Sequence, residues 1–516
     1  MSENEIRPAG TMDELVRARA AEQPDREAVI DPQDRISYAE LDDSTADLAA
    51  VLVAMGIVKG SRVGLLHPNS VRWVRIAVAL TRIGAVLVPL STLLRPPELR
   101  SHLRIASVRY LIAVEEFRGR DYLAELGTSA GAQRDPELPA LRRVCSAGQL
   151  DVEPPVHTRP LVEPMAATVT PADPMAVMFT SGSRGLPKGV IHSHGNAFAA
   201  VRSGLTSRCI DHTTRLYLPM PFFWVGGFGG GVLTALLAGG TLVTEAVPSP
   251  ETTLHLLDRE RVNLFRGWPD QAESLAEQAE KLGVPVPPLR AGSLEAVLPP
   301  ELRAEPGARA NLFGMTESFG PYCGYRADTD MPRSAWGSCG KPFPGMEVRI
   351  VDAESGAAVR PGTIGVIELR GPHILRDICG RDRTEIFTRD GFYRTGDLGH
   401  LDAAGFLFYH GRSDDMFKVS GATVYPAEVE RALCTIPAVA AAFVTNVLGP
   451  HGDRVAAAVI ADSPTTPENL RTAARERLSS FKIPTVWKFV DTDTVPRTST
   501  GKIDVHGLRA LLAAAD

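Results

Sequence analysis

The sequence predicts an α/β protein of more than one domain: a large N-terminal part of layered α/β sheets with a β subdomain, then a small α+β unit at the C-terminus. Three observations carry this. The chain has 516 residues, more than one compact core accommodates. Apolar strand-like runs alternate with helix-period segments through the first half, the pattern of a largely parallel sheet. After Gly411 the composition changes, and a short series of helices and strands follows.

Glu14 to Glu22 has helical periodicity and stops before Pro24. Ala28-Val29-Ile30 reads as a strand and Ile36-Ser37-Tyr38 as its hairpin partner. Tyr38 to Met55 reads as a helix, with Leu41, Ala46, Leu48, Leu52 and Val53 on one side and Gly56 as its stop. Arg62 to Leu66 is a buried-type strand ended by Pro68-Asn69-Ser70. A helix over Val71 to Ile83 and a strand over Val86 to Val88 come next. Residues 117–172, rich in Pro, Gly and charge, read as irregular connections. Gly195 to Leu205 reads as a helix, Leu216-Tyr217-Leu218 as a strand, Leu254 to Arg261 as a helix, and Asn263-Leu264-Phe265 as a strand ending at Gly267-Trp268-Pro269. Val348 to Asp352 and Gly365 to Gly371 read as strands of the β subdomain. The C-terminal unit reads as helix Pro426 to Thr435, strands Ala440 to Val444 and Val455 to Ile460, helix Pro467 to Leu478, and strand Trp487 to Val490.

Composition excludes several function classes. A net charge of −6 gives no electrostatic footprint for nucleic acid. The six cysteines are scattered without a C-x-x-C pair, which fits idle thiols in a reducing compartment rather than a disulfide frame or a zinc site. His192 and His194 are the only close histidine pair and read as orienting or capping groups. The N-terminus lacks the charged-then-apolar pattern of a signal. Val74 to Leu94 carries Arg75 and Arg82, and Val225 to Val243 is broken by seven glycines, so neither supplies the run of about 18 apolar residues that a span needs. Ala514-Ala515-Asp516 is not a peroxisomal address. A cytoplasmic protein without integral membrane association is expected.

Five runs carry chemistry. Phe179 to Gly189 joins glycines, hydroxyls and Lys188 after an apolar strand. Glycine lets several backbone N–H groups converge on one anion, so the run reads as a phosphate cradle; a flexible surface turn has a similar composition. It is not a Walker A loop, because Lys188 is followed by Gly189. Asn311 to Glu317 offers an aromatic ring able to cover a purine, the Thr316 hydroxyl, and in Glu317 a hard oxygen ligand suited to magnesium; alone, such a Glu is a helix-start residue. Phe392 to Asp397 places a carboxylate in a tight glycine turn, where it can accept both hydroxyls of a ribose or build an Asx turn. Gly411 to Gly421 opens the C-terminal unit. Pro496 to Lys502 ends on a lysine in a Gly-Thr turn, which alone is a solvated charge. Between the first two runs, Pro219 to Gly227 sets two prolines and three aromatics before glycines. It reads either as a core aromatic cluster or as rings beside open space.

Taken in order from Thr180 to Lys502, these runs resemble the signatures of the acyl-adenylate-forming superfamily (AMP-binding enzymes), in its acyl-CoA synthetase branch of fatty-acid and aryl-acid CoA ligases. Arg184 stands where Thr is usual, Phe313 replaces Tyr, and Trp224 holds the place of a usual His. Ala291-Gly292-Ser293-Leu294 resembles a degenerate Gly-Gly-Ala-Pro adenine turn.

The resemblance implies an N-terminal adenylation domain over 1–411 and a mobile lid over 412–516 carrying the catalytic lysine. It implies ATP-binding by Thr180, Ser181, Gly182, Ser183, Gly185, Lys188, Gly292, Ser293, Asn311, Phe313, Gly314, Thr316, Asp397, Arg412 and Lys502. Catalysis falls to Lys502, Glu317 and Thr316, with Mg²⁺ on Glu317. The acyl pocket is expected from Phe222, Phe223, Trp224, Gly226, Gly227, Gly314 and Met315. Coenzyme A is expected at Lys418, Ser420 and Gly421, with the hinge at Asp414. The implied reaction adenylates a carboxylic acid with ATP and passes the acyl group to CoA. Gly314, where acetyl-CoA synthetases carry a bulky Trp, and the glycines after Trp224 imply an acid larger than propionate: medium-chain, aryl or polycyclic. The implied partners are small molecules; a homodimer is compatible, as is an acyl carrier protein served in trans. A non-catalytic nucleotide-binding homologue is the rival of another class.

Overall fold

The apolar runs of the first half build two sheets. A computed structural model describes residues 9–126, 135–180, 187–413, 417–419, 422–449, 452–478, 482–498 and 501–514. The chain divides into two units: Met1–Glu347 with Leu369–Tyr393, and Val348–Glu368 with Arg394–Asp516.

In the first unit a seven-stranded sheet runs in the order Asp377–Ile378, Lys188–Ser193, Pro174–Thr180, Val86–Leu90, Arg62–Leu66, Tyr110–Ala113, Arg143–Ser146. From Pro174–Thr180 onward all neighbours are parallel, while the first two strands join antiparallel. Parallel strands are covered on both faces, so they read as unbroken apolar runs, and Val86–Leu90 is buried at every position. The second sheet has five strands: Leu264–Phe265, Arg215–Tyr217, Thr241–Val243, Glu27–Ile30 and Arg35–Ser37. It is parallel except for the closing hairpin. A short antiparallel sheet, Phe313–Met315, Gly320–Gly324 and Lys341–Pro342, completes the unit.

Helices start where capping chemistry permits. Thr11 and Ser37 close capping boxes with Glu14 and Glu40 for the helices Met12–Glu22 and Tyr38–Ala54, and Ser70 caps Val71–Arg82. Trp73 on that last helix is fully buried in a core shared with Phe198, Phe222, Phe228 and Phe319. Each such ring contributes about 1.5–3 kcal/mol on burial. Arg82 is also buried, but fully paired: its Nη2 meets Asp13 at 2.7 Å and Asp42 at 2.9 Å, and its Nη1 reaches Thr45 Oγ1 at 2.8 Å.

The second unit holds a four-stranded sheet, Glu347–Val351, Gly365–Arg370, Tyr393–Leu401 and Leu407–Arg412. Beyond it a three-stranded sheet, Val439–Gly449, Gly452–Ala461 and Val486–Phe489, packs with helices Pro426–Cys434, Pro467–Arg475 and Val505–Ala513. Val429, Leu433, Val455 and Leu470 fill one of its cores.

Several elements differ from expectation. The phosphate-loop run leads into an unforeseen strand, Lys188–Ser193, while the helix His194–Leu205 matches the expected Gly195 to Leu205 within one residue. The stretch read as irregular contains the parallel strand Arg143–Ser146 and the helix Val162–Ala167. The glycine-rich segment after Trp224 is helical, with a π-helical turn over Phe228–Leu233 stabilised by Thr234 Oγ1 donating to Gly229 O at 2.7 Å. Among the described residues no helix is long and apolar enough to cross a membrane.

Candidate active site

Thr180 and Lys188, which flank the cradle run, are register partners across the antiparallel ladder. Ser181, Gly182, Ser183, Arg184 and Gly185 lie outside the described residues. The strand leaving the loop delivers His192 to the interior. Its Nδ1 receives the Asn196 amide at 2.8 Å, so Nε2 carries the proton and donates to Thr316 O at 2.9 Å. Burial pushes this imidazole down to about 3, which keeps it a neutral tether. The ring also stands edge-on to Phe319, centroids 4.8 Å apart.

Thr316–Ser318 forms a single 3₁₀ turn between two strands, and Phe319 leaves it at φ +52°, a left-handed conformation costly for a bulky residue. Its ring is 2% exposed and packs against Phe228, so burial compensates the strain. Ser318 Oγ receives the Met315 N–H at 3.2 Å and donates to Gly320 O at 2.7 Å. Glu317 is buried, and the Tyr393 hydroxyl donates to its Oε1 at 3.1 Å. A Cβ on Gly314 would lie 2.2 Å from the Gly320 oxygen, so the hairpin itself demands glycine there.

The aromatic segment divides. Phe222 is sealed in the core, edge-on to Trp73 at 5.1 Å, and Phe223 is buried beside it. Trp224 is partly exposed and meets Trp268 at 6.0 Å. A Cβ on Gly227 would strike Pro221 O at 2.1 Å, and one on Gly226 would reach Met220 Sδ at 3.0 Å. Of the glycines that follow, only Gly230 faces open space. The segment hangs from Asn69, which sequence reasoning took for a turn residue. Asn69 Nδ2 donates to Met220 O at 2.9 Å and Thr244 Oγ1 at 3.2 Å, and its Oδ1 receives Phe222 N–H at 2.8 Å.

Gly292 and Ser293 form a turn zipped to the end of Leu264–Phe265: Ser293 Oγ receives Phe265 N–H at 3.0 Å. Asn311 is exposed and its N–H donates to Ser338 O at 3.2 Å. Phe313 lies edge-on to Tyr322 at 5.6 Å, and Met315 is partly buried.

In the second unit Asp397 and Arg412 are register partners, joined by an ion pair of 3.1 Å. The Thr395 hydroxyl receives Asp397 N–H at 2.9 Å and donates to Ile367 O at 2.8 Å. Gly396 turns at φ +76°, and a side chain there would press on Arg412. Lys502 is exposed on a turn closed by Thr498 N–H donating to its carbonyl at 2.8 Å. Asp414, Ser420 and Gly421 lie outside the described residues; Lys418 is described only in its backbone, within Phe417–Val419.

The first unit therefore gathers the strand leaving the loop, the helix after Trp224 and the Thr316–Glu317 turn around His192 and Phe319. Glu317 supplies a positioned, buried carboxylate of the kind that holds magnesium beside phosphates. No group of three or more His, Cys, Asp or Glu that could hold a metal occurs among the described residues.

Comparison with known proteins gives a family for the chain. A family described as AMP-binding enzyme matches residues 16–378, and one described as AMP-binding enzyme C-terminal domain matches residues 428–502. The chain is 31% identical to a (7a-methyl-1,5-dioxo-octahydroinden-4-yl)propanoyl:CoA ligase of Mycobacterium tuberculosis, covering 98% of this chain and 99% of that protein. It is 29% identical to the indoleacetate–CoA ligase of Aromatoleum aromaticum, covering 97% and 98%. Among solved structures it is similar to a Mycobacterium tuberculosis fatty acyl CoA synthetase, with a TM-score of 0.72 and 25% identity over 98% of this chain and 99% of that one.

Proposed function

The chain belongs to the AMP-binding enzyme family, and on that premise we propose that it is an ATP-dependent carboxylate–CoA ligase. A carboxylate oxygen attacks the α-phosphorus of ATP, and pyrophosphate leaves. The CoA thiolate then attacks the acyl carbon of the adenylate, and AMP leaves. One observation carries most of the reading: 31% identity to a CoA ligase over 98% of the chain.

Phosphoryl transfer needs positioning and charge neutralisation more than covalent help from the protein. Thr180 to Lys188 are assigned to the β- and γ-phosphates, and Gly292, Ser293, Asn311, Phe313 and Gly314 to the adenine. Asp397 and Arg412 are assigned to the ribose. Lys502 stabilises negative charge at the α-phosphate and is not a base. Magnesium would supply a hard counter-charge to the phosphates, and Glu317 is the residue to hold it. His192 and Tyr393 position the turn through Thr316 O and Glu317 Oε1. Residues 1–411 serve adenylation, and residues 412–516 act as a lid hinged at Asp414, with Lys418 to Gly421 serving CoA. The acid is larger than propionate, as the bicyclic and indole acids named for its relatives support. The protein works in the cytoplasm.

The test is mass-spectrometric. With ATP, Mg²⁺, CoA and a panel of fatty, aromatic and polycyclic acids, a strong acyl-CoA product is expected. Acyl-AMP without thioester would transfer the reading to a carrier-protein acceptor. No product from any acid would contradict it.

A further inference from the structure

Within the second unit, the helix Pro426–Cys434 lies against the four-stranded sheet that precedes it in the chain. The helix belongs to the lid core: its Val429 and Leu433 pack with Val455 and Leu470. Its other contacts reach back across the hinge proposed at Asp414. Tyr425, which starts the helix, packs against Val351, Val366 and Leu398 of the sheet. A Cβ on Gly411 would lie 3.4 Å from Ala427 Cβ, so the helix rests on the backbone of the strand Leu407–Arg412. Arg431, one turn further on, completes the line. Its Nη1 donates to Tyr409 O at 3.4 Å and its Nη2 to His410 Nδ1 at 3.3 Å.

The last bond fixes a proton. A guanidinium only donates, so Nδ1 of His410 offers a lone pair and Nε2 carries the hydrogen. That hydrogen goes to His400 Nδ1 at 2.7 Å, and His400 keeps its own on Nε2. His400 lies flat on its register partner Phe408, centroids 4.8 Å and planes 4° apart, which holds the acceptor still. Without His400 the hydrogen of His410 can move to Nδ1, where it would face the guanidinium. Both rings must be neutral for this chain of bonds. Burial pushes His410 down to about 4, with Arg431 and His400 acting the same way and Glu428 against them. Burial also lowers His400, against Asp402. Glu428 is itself engaged by Lys482 Nζ at 2.6 Å.

The two sides of this contact part company in a lid movement. A rotation at the hinge carries Tyr425, Ala427 and Arg431 with the lid core and leaves Tyr409, His410 and Gly411 with the sheet. The contacts therefore exist in one lid position and break in the other, and whatever free energy they contribute biases the lid toward the first.

We propose that Arg431, His410 and His400 are positioning residues for the two-step reaction: they form a catch that holds the lid in one of its two positions and so set the ratio of adenylation to thioester formation. Arg431 makes the contact, His410 accepts it, and His400 keeps His410 in the accepting tautomer. The proposal rests on the hinged-lid ligase reading above for what the two positions do, while the position of the lid can be tested without turnover.

The two steps are read separately, adenylation as acid-dependent pyrophosphate exchange and the second step as thioester formation from supplied acyl-AMP. In Arg431→Met the ratio of the two rates is expected to move at least about 5-fold, one rate holding or rising as the other falls. His400→Leu should move it the same way, although the bond of His400 is to His410 and not to the lid. Arg431→Lys, which still donates, should restore part of the native ratio. An unchanged ratio, an equal loss of both steps, or opposite movement in Arg431→Met and His400→Leu overturns the proposal. The lid itself is followed by dipolar spectroscopy between spin labels on Cys434, exposed at the end of the helix, and on Ala404→Cys in the exposed turn after Tyr393–Leu401, with Cys209→Ser and Cys379→Ser removing the two partly buried thiols. Without any ligand, Arg431→Met is expected to shift the population between two label distances about 5-fold. One distance distribution shared by native protein and variant overturns the proposal. A shifted distribution in a protein that forms neither adenylate nor thioester would sink the ligase reading alone and leave the catch standing.

Discussion

Asn69→Ala tests whether the aromatic segment is positioned from outside itself. Asn69 is 6% exposed and supplies both the acceptor for Phe222 N–H and the donors for Met220 O and Thr244 Oγ1. Truncation leaves the fully buried Phe222 N–H without a partner, at about 1–3 kcal/mol, and strips one bond from the Met220 carbonyl. A total of about 3 kcal/mol follows. For a unit of about 370 residues, with an unfolding entropy of about 2.1 cal/mol/K per residue, the melt falls by about 4 °C. On the proposed assignment of the freed segment to the acyl pocket, kcat/KM for the acid should fall about 10- to 100-fold with the KM for ATP little changed. Asn69→Asp keeps the acceptor but turns a carboxylate toward carbonyl oxygens, and should be at least as harmful. Calorimetry and acid-dependent pyrophosphate exchange read both effects. A melt within about 1 °C of the native protein, or a KM for ATP rising in step with that for the acid, would refute the reasoning.

Lys502→Ala is expected to abolish adenylation while thioester formation from supplied acyl-AMP survives, and Asp414→Pro to do the reverse, because proline fixes φ at the hinge; product analysis of each half-reaction decides, and equal loss of both steps contradicts the two-state lid. Glu317→Gln retains an acceptor for Tyr393, so its melt should stay within about 2 °C while adenylation falls at least about 100-fold and the magnesium requirement rises; unchanged magnesium dependence would remove the metal from Glu317. His192 is held neutral down to about 3, whereas in the unfolded chain it takes a proton near its ordinary value of about 6.5. Unfolding thus takes up a proton between those values, and stability falls as pH falls through that window. In His192→Gln the slope of unfolding free energy against pH near pH 5 should shrink by about one proton; an unchanged slope would mean the histidine is not buried neutral.

Much of the fold was legible because parallel strands announce themselves. Val86–Leu90 is apolar throughout and Arg62–Leu66 after its first residue, and Ser37 and Ser70 mark helix starts. Lys188–Ser193 was hidden by the loop it closes, since a cradle before a helix looks the same until the antiparallel register is known. The short strand Arg143–Ser146 has one arginine and one cysteine among four residues, and only its parallel partner Tyr110–Ala113 makes it a strand. Of the candidate site, the residues in signature runs could be named from sequence. Those that act through long-range contacts could not. Asn69 lies 153 positions from Phe222, and His192 lies 124 from Thr316. Several glycines after Trp224 also answer to close packing, Gly227 against Pro221 and Gly231 against Leu218, while Gly226 is exposed and Gly230 opens onto space.

The most direct test of the central claim follows oxygen. An acid accepted by the enzyme is labelled with ¹⁸O in its carboxylate and converted with ATP and CoA. Attack of that oxygen on the α-phosphorus, followed by cleavage of the acyl carbon–oxygen bond by the thiol, leaves one labelled oxygen in AMP. The account predicts AMP carrying one ¹⁸O and unlabelled pyrophosphate. Label in inorganic phosphate with ADP as the nucleotide product, or AMP without label, would contradict it.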